Sequence, residues 1–326
     1  MLELERAIGE LREALPELEI YENEPMQRHC SFKIGGAVRA FACPEDLESL
    51  EKICSVLRGR GIAPFILGNG SNILFPDEGL KDLFIISTEK LQKLNVEDEK
   101  IYAQAGVSLA RLAGAAQQQG LSGLEFASGI PGTVGGGLTM NAGAYGGELK
   151  DCVESVDILY LPERKLYRIS GQDCRFGYRH SIFQEISGCV ILSACFRLEP
   201  GDREQIAAAM RDFNQRRRDK QPLDLPSGGS TFRRPEGYFA AALIQEAGLK
   251  GLTVGGAQVS EKHAGFIVNA GGASSHDVAA LIEQVKEKVY AASGVSLETE
   301  LISIPADYAL RAEPAPEQLP FEGAEL

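Results

Sequence analysis

Eight of the nineteen residues from Gly129 to Gly147 are glycine. Glycine disfavours both helix and strand, so this concentration costs stability unless something offsets it. Ile130, Pro131, Val134, Leu138, Met140 and Tyr145 are interleaved with the glycines, which is too apolar for a flexible linker. Close backbone approach to a ligand would provide the offset. A diphosphate can rest against bare N–H groups, and a flat ring against a chain without Cβ atoms. No G-x-G-x-x-G lies between a strand and a helix with an acid about twenty residues on, so this is not a Rossmann fingerprint. A shorter loop, Gly68-Asn69-Gly70-Ser71-Asn72, follows the apolar run Pro64–Leu67. Taken alone, it reads as a tight turn sooner than as a phosphate cradle.

A chain of 326 residues has room for two or three domains with proper cores. No apolar run is long enough to span a bilayer. Met1–Leu15 alternates acidic and apolar residues without a basic start, so no signal peptide is expected. The seven cysteines are scattered and never spaced C-x-x-C, which fits reduced thiols in a cytosolic chain and no zinc site. No two of the four histidines have ligand spacing, so no metal is expected. A formal charge of −13 disfavours nucleic acid. A local basic pocket for a small anion remains compatible with it. Neither a nucleic-acid nor a membrane partner is expected, and the expected state is a monomer.

Leu4, Ile8, Leu11 and Leu15 predict an opening amphipathic helix. Asn23–Gly36 reads as a loop. A strand is expected at Val38–Ala42, then a helix after Pro44 that ends at Gly59 and Gly61. Strands are predicted at Leu83–Ser87, Ile101–Ala105, Val153–Leu161 and Cys189–Leu198. A helix over Ser108–Gln119 has Ser108 as N-cap. Another spans Arg203–Arg217, with Ile206, Met210 and Phe213 on one face, and it ends in a charged stretch. Pro222, Pro226 and Gly228-Gly229 mark a linker or a domain entrance. A helix near Tyr238–Ala247, strands at Gly256–Val259 and Phe266–Asn269, a helix striped by Val278, Leu281, Ile282, Val285 and Val289, and a strand at Glu300–Ile304 complete the pattern. Ala309–Leu326 is rich in Pro and Glu and reads as a disordered tail. Mixed elements without a regular βαβ repeat predict an α+β fold of several small domains.

Four further segments carry candidate chemistry. In Arg175–Ser181, Arg179 could hold a carboxylate through both guanidinium nitrogens, although a surface arginine is the commoner case. In Ser227–Pro235 a serine lies between glycines and two arginines. It has no nucleophile elbow and no Ser-His-Asp order to make a hydrolase, so a turn with solvated charges is an equal reading. In Val259–Asn269, Lys262 reads as a phosphate ligand or a bland surface lysine, and His263 as a satisfied loop histidine sooner than a base. Glu298 and Glu300 share one face of a predicted strand, and that face is either solvated or functional.

In this order, the segments resemble the UDP-N-acetylenolpyruvoylglucosamine reductase family. The matching strings are HCSFKIGG (His29–Gly36), ILGNGSNIL (Ile66–Leu74), SGIPGTVGGGLTMNAGAYGGE (Ser128–Glu148), FGYRHSIF (Phe176–Phe183), GGSTFRRP (Gly228–Pro235), AGLKG (Ala247–Gly251), GGAQVSEKHAGFIVN (Gly255–Asn269) and LETEL (Leu297–Leu301). The short stretch from Arg179 to Val190 is similar to the subtype without an inserted tyrosine loop. The resemblance implies a two-lobed FAD-binding domain of the vanillyl-alcohol-oxidase type, at 1–95 and 96–200. It also implies a C-terminal α+β substrate-binding domain at 201–306, with 307–326 as an acidic tail.

FAD would be held by Gly68, Asn69, Gly70, Ser71, Asn72, Ser128, Gly129, Ile130, Gly132, Thr133, Gly135, Gly136, Asn141, Gly143, Ala144, Gly147 and Val190. With no histidine in the first glycine loop, it would be non-covalent. NADPH would be the reductant and UDP-N-acetylglucosamine enolpyruvate the substrate. Arg179, Ser230 and Glu300 would be catalytic, while Tyr145, Arg233, Lys262, His263 and Asn269 would contact the UDP-sugar. Two other readings stand beside this one, a sugar or alcohol oxidase on the same flavin fold and a non-enzymatic nucleotide-sugar sensor. The trio Arg179, Ser230 and Glu300 speaks against the oxidase.

Overall fold

Leu4, Ala7, Ile8 and Leu11 form the buried stripe of helix α1 (Leu2–Ala14) in the computed structural model, which describes residues 2–308 and 323–326. That stripe packs on α2 (Leu47–Gly59), whose N-terminus is capped by Asp46 accepting from the Ser49 N–H at 2.8 Å. Beneath them lies a four-stranded sheet in the order Ile20–Pro25, Ala37–Ala42, Leu80–Ser87, Phe65–Leu67. The first pair is antiparallel and the other two are parallel. The parallel pairs require a crossover, which α2 supplies between Ala42 and Phe65.

The second sheet is antiparallel throughout. Its order is Gly323–Glu325, Lys165–Ser170, Val153–Tyr160, Cys189–Arg197, Lys100–Gln104, Leu94–Glu97. Helix α3 (Leu109–Gln119) covers it, capped by Ser108 as predicted and closed by Gly120 in the left-handed conformation. Leu159, Leu161, Val190 and Leu192 leave this sheet to join the core around α1 and α2. The two sheets are therefore welded through apolar contact.

Helix α4 (Val134–Thr139) lies inside the glycine-rich segment, where irregular chain was expected. Thr133 caps it, and Val134 and Leu138 are fully buried, so tertiary burial overrides glycine's poor propensity.

Helix α5 (Arg203–Lys220) runs three residues past its expected end and leads to a third sheet, Ser227–Ser230, Phe266–Asn269, Ala257–Val259, Thr253–Val254. Helices α6 (Ala240–Glu246) and α7 (Ser275–Ser293) pack there, and the predicted α7 stripe is buried at every position. This core runs on into Met26, Phe32, Phe41 and Phe75 of the first unit.

Several elements differ from expectation. Ile20–Pro25 and Lys165–Ser170 are strands the sequence pattern did not signal. Ser227–Ser230 is a bulged strand, not a turn. The predicted Glu300–Ile304 strand contracts to Ile302–Ser303, paired in parallel with Ile73–Leu74. At the C-terminus, the expectation of disorder fails for Gly323–Glu325, which pairs with Tyr167–Ile169. The part of that tail at 309–322 lies outside the described residues.

Asp77 ties the first sheet to the start of α7. One of its oxygens accepts from both the backbone N–H and the hydroxyl of Ser275, each at 2.7 Å. Removing a charged acceptor orphans two donors. Asp77→Ala is therefore expected to lower stability by about 2 kcal/mol, read from urea unfolding followed by circular dichroism.

Candidate active site

The first glycine loop and the first part of the glycine-rich segment face each other across a cleft of about 560 Å³. Gly68, Asn69, Ile130, Gly132 and Thr133 line it, together with the His29–Ser31 turn and Lys33. The two loops touch directly. Asn69 Nδ2 donates to the Pro131 carbonyl at 3.2 Å, and a Cβ on Gly68 would come within 2.6 Å of Thr133 Oγ1. Gly70 has φ +57°, and a Cβ there would meet the His29 carbonyl at 2.2 Å. Among the described residues, the N–H groups of Asn69, Gly70 and Ser71 have no acceptor within the protein. Unpaired amides on a left-handed turn can make an anion nest, and Asn69 brings this one to the lining of the cleft. The cleft thus fits the pyrophosphate of a dinucleotide.

The glycines of the longer segment divide into two groups. Some are small because the protein packs on them. A Cβ on Gly129 would meet Asn214 Oδ1 at 2.4 Å, one on Gly143 the Gly147 carbonyl at 2.7 Å, and one on Gly147 the Phe126 ring at 2.5 Å. Gly132 and Gly136 meet nothing closer than 3.6 Å and leave bare backbone accessible to a ligand. Close approach to a ligand, the reason expected from sequence, therefore explains only part of the glycine content. The N–H groups of Val134 and Gly135 are spent on Val107 and Ala105 carbonyls.

A second cleft, of about 570 Å³, is lined by Gly143–Glu148, Tyr178, Arg179 and Arg234–Gly237. Arg179 projects from a turn closed by the Gly177–His180 pair, with its own backbone at φ +53°. Buried Asn141 fixes that turn: its amide donates to the Gly177 carbonyl at 2.9 Å and to Glu148 Oε2 at 3.0 Å, and its oxygen accepts from the Lys150 N–H at 3.0 Å. Arg179 Nε then donates to Glu300 Oε1 at 2.7 Å, and Nη2 to the Gly143 carbonyl at 3.2 Å.

Glu300 is placed through its backbone. Its N–H donates to the Thr231 carbonyl at 2.8 Å, and its carbonyl accepts from Asn72 Nδ2 at 3.2 Å. Ser230 precedes Thr231 in the chain, so the pairing that seats Glu300 also brings Ser230 to this locus. A Cβ on Gly229, just before it, would come to 4.0 Å from the Ser71 carbonyl. The Ser230 hydroxyl has no partner among the described residues and is half-buried. Arg179, Ser230 and Glu300, about 120 residues apart at the extremes, thus lie at the junction of the two glycine segments. Burial pushes the Glu300 carboxyl above the usual carboxylate range, against the pull of Arg179 and Arg233. Glu298, expected to share its face, is exposed, because the chain here is irregular.

The remaining predicted residues fall into different places. Tyr145 lines the second cleft and stacks on Phe213, with centroids 4.8 Å apart and planes 1° from parallel. Arg233 is half-buried with its Nε unpartnered. Lys262 Nζ donates to the Arg218 carbonyl at 2.6 Å. His263 sits inside its own turn, accepting from the Gly265 N–H at 3.2 Å, and burial lowers its pKa, as a structural histidine would show. The Asn269 amide is occupied by Phe32, Gly271 and Ala273. Val190 is buried in the core between the sheets, away from the first cleft. Ser128 Oγ bonds the Glu125 carbonyl at 2.9 Å and accepts from Asn214.

Arg217 was read only as part of a charged stretch. Its Nη1 donates to the Gly129 carbonyl, its Nε is buried without a partner, and burial lowers its pKa. Phe213, Asn214 and Arg217 recur at helical spacing on α5, which was the signal for a face clamped on the glycine segment.

A family model described as "FAD binding domain" matches residues 38–170, and one described as "UDP-N-acetylenolpyruvoylglucosamine reductase, C-terminal domain" matches 221–304. A UDP-N-acetylenolpyruvoylglucosamine reductase from Caldanaerobacter subterraneus subsp. tengcongensis is 47% identical over 90% of this chain and 96% of its own. The chain belongs to the UDP-N-acetylenolpyruvoylglucosamine reductase family. A member from Limosilactobacillus reuteri is 45% identical over 90% of this chain and 98% of its own. The crystal structure of the reductase from Thermus caldophilus superimposes with a TM-score of 0.74 at 31% identity, covering 88% of this chain and 99% of that one. Membership makes this chain an FAD-dependent oxidoreductase of peptidoglycan synthesis. Its α+β fold is the two-lobed flavin-binding type joined to the family's C-terminal domain.

Asn141→Ala removes three hydrogen bonds at a fully buried site. A loss of about 3 kcal/mol is expected, measured by urea unfolding of the variant beside the parent.

Proposed function

We propose that this chain reduces UDP-N-acetylglucosamine enolpyruvate to UDP-N-acetylmuramate with NADPH as electron donor. The observation that carries this reading is the half-buried Arg179–Glu300 pair, set where the two glycine segments meet and next to an uncommitted serine hydroxyl. Gly68–Asn72 and the Gly129–Gly136 stretch would hold non-covalent FAD, which when bound would supply the hydride. Residues 1–95 and 96–200 form the two flavin lobes and 201–306 the substrate-binding domain. The substrate's precursor pathway argues for the cytoplasm, and no described helix is long and apolar enough to cross a membrane.

When hydride reaches the terminal carbon of the enol ether, charge grows on the adjacent carbon and spreads into the carboxylate. Arg179 is fixed positive charge aimed at that carboxylate. Its position is set before substrate arrives, because Glu300 and the Gly143 carbonyl hold its guanidinium. Glu300 accepts from Arg179 through one oxygen, and the other, protonated, donates a hydrogen bond to the growing charge. Ser230 delivers its proton to the carbon. A serine is a weak acid, but the enolate is strongly basic, so the transfer is feasible at close range. Tyr145, Arg233 and Lys262 are the proposed contacts of the UDP-sugar. His263 and Asn269 act from behind, shaping the turns around them.

Ser230→Ala separates the half-reactions. NADPH should bleach its flavin at the parent rate, while reoxidation by the enolpyruvyl sugar slows by roughly 10³-fold, followed by stopped-flow absorbance. Unimpaired reoxidation would remove the serine from the mechanism.

Glu300 generates a pH prediction. Its raised pKa keeps it protonated to higher pH than an ordinary glutamate. The acid form donates only below that pKa, so reoxidation should fall as pH rises through it. Glu300→Gln cannot ionise, and this descent should vanish from its slower profile. An unchanged alkaline descent in the variant would assign the titration to another group.

A further inference from the structure

We infer that Lys33 is the side-chain counter-charge of the flavin pyrophosphate, completing a site whose other donors are backbone. Three observations converge on it. Lys33 lines the same cleft as Gly68, Asn69 and Thr133. Its ammonium has no carboxylate within ion-pair distance among the described residues, although the chain carries 46 acidic residues against 33 basic ones. Its backbone is held at φ +57°, a conformation an L side chain rarely adopts.

Its loop is bolted to the nest. The Ser31 N–H donates to the Gly70 carbonyl at 3.1 Å, and the Lys33 N–H to the Cys30 carbonyl at 3.3 Å. Gly70 packs so tightly on His29 and Cys30 that a Cβ would not fit. The neighbouring basic side chains are committed elsewhere: Arg28 reaches Glu24 at 3.5 Å, and His29 bonds the same carboxylate at 2.9 Å while stacking on Phe41. Lys33 is left as the cation of this loop with no internal partner. Lys33 holds a left-handed backbone where glycine would be relaxed, which accords with a use for its side chain. A pyrophosphate against the unpaired amides of Asn69, Gly70 and Ser71 is the ligand chemistry that uses it.

The test uses the holoenzyme and three variants, Lys33→Gly, Lys33→Gln and Lys33→Arg. Flavin release after dilution is followed by recovery of FAD fluorescence at rising KCl concentration, with thermal melting of each protein alongside. Lys33→Gly relaxes the backbone, so a purely conformational lysine predicts unchanged or slower release. The counter-charge role predicts release about tenfold faster for both Lys33→Gly and Lys33→Gln at low salt. The gap to the parent should narrow as salt screens the parent's contact, and Lys33→Arg should retain the flavin. Release from Lys33→Gly at the parent rate, or a faster release that salt leaves unchanged, would overturn the assignment. Melting temperatures separate the outcomes from misfolding, because the exposed Lys33 side chain contributes no core contact.

Discussion

The hydrogen bond from Arg179 to Glu300 depends on packing across most of the molecule. Arg179 comes from the loop after the second sheet's Lys165–Ser170 strand, and Glu300 from the chain beyond α7. The two side chains meet only if the flavin-binding sheets and the C-terminal sheet are docked in one arrangement. Two cores impose that docking. One runs from α1 and α2 into the second sheet, and the other from the first sheet into α6 and α7. A half-buried pair of this kind is weak evidence for stability, since desolvation offsets its attraction. Its value lies in setting the direction of a guanidinium before any substrate is present.

Backbone groups do much of that placement. Thr231 carries the Glu300 N–H, Asn72 holds the Glu300 carbonyl, and Asn141 holds the Gly177 carbonyl behind Arg179. The Asn72 and Asn141 bonds each join a glycine-rich segment to a catalytic loop, and the Thr231 bond joins two catalytic loops to each other. The loop that cradles the cofactor and the residue that acts on the substrate are therefore not independent parts. A change in Asn72 or Asn141 is expected to move an acid or a cation without touching the carboxyl or the guanidinium itself.

The sequence pattern exposed the elements that repeat an apolar period: α1, α2, α3, α7 and the long central strands lie where the spacing put them. It missed the strands whose pairing is set by partners distant in the chain. Lys165–Ser170 alternates too weakly to stand out, and Ser227–Ser230 is glycine and serine, residues that strands usually avoid. Both are strands because Val153–Tyr160 and Phe266–Asn269 offer them unpaired edges. The tail failed as a disorder assignment for a related reason. Composition describes what a segment can bury, and Gly323–Glu325 buries nothing; it fills hydrogen bonds on an exposed edge.

The glycine-rich segment shows the limit most clearly. Its composition demanded an explanation and suggested a ligand. Yet Gly129, Gly143 and Gly147 are small because Asn214, the hairpin's own backbone and Phe126 press against them. The pressure on Gly129 comes from α5, where Asn214 and Arg217 close on the loop while Phe213 stacks with Tyr145. A helix whose sequence shows one apolar face and a charged end thus becomes the rigid backing of the cofactor loop. Glycines that accept packing from behind keep the face at Gly132 and Gly136 thin and fixed. A rigid thin wall, not a flexible one, is what preorganised donors require if they are to favour a developing charge without rearranging to meet it.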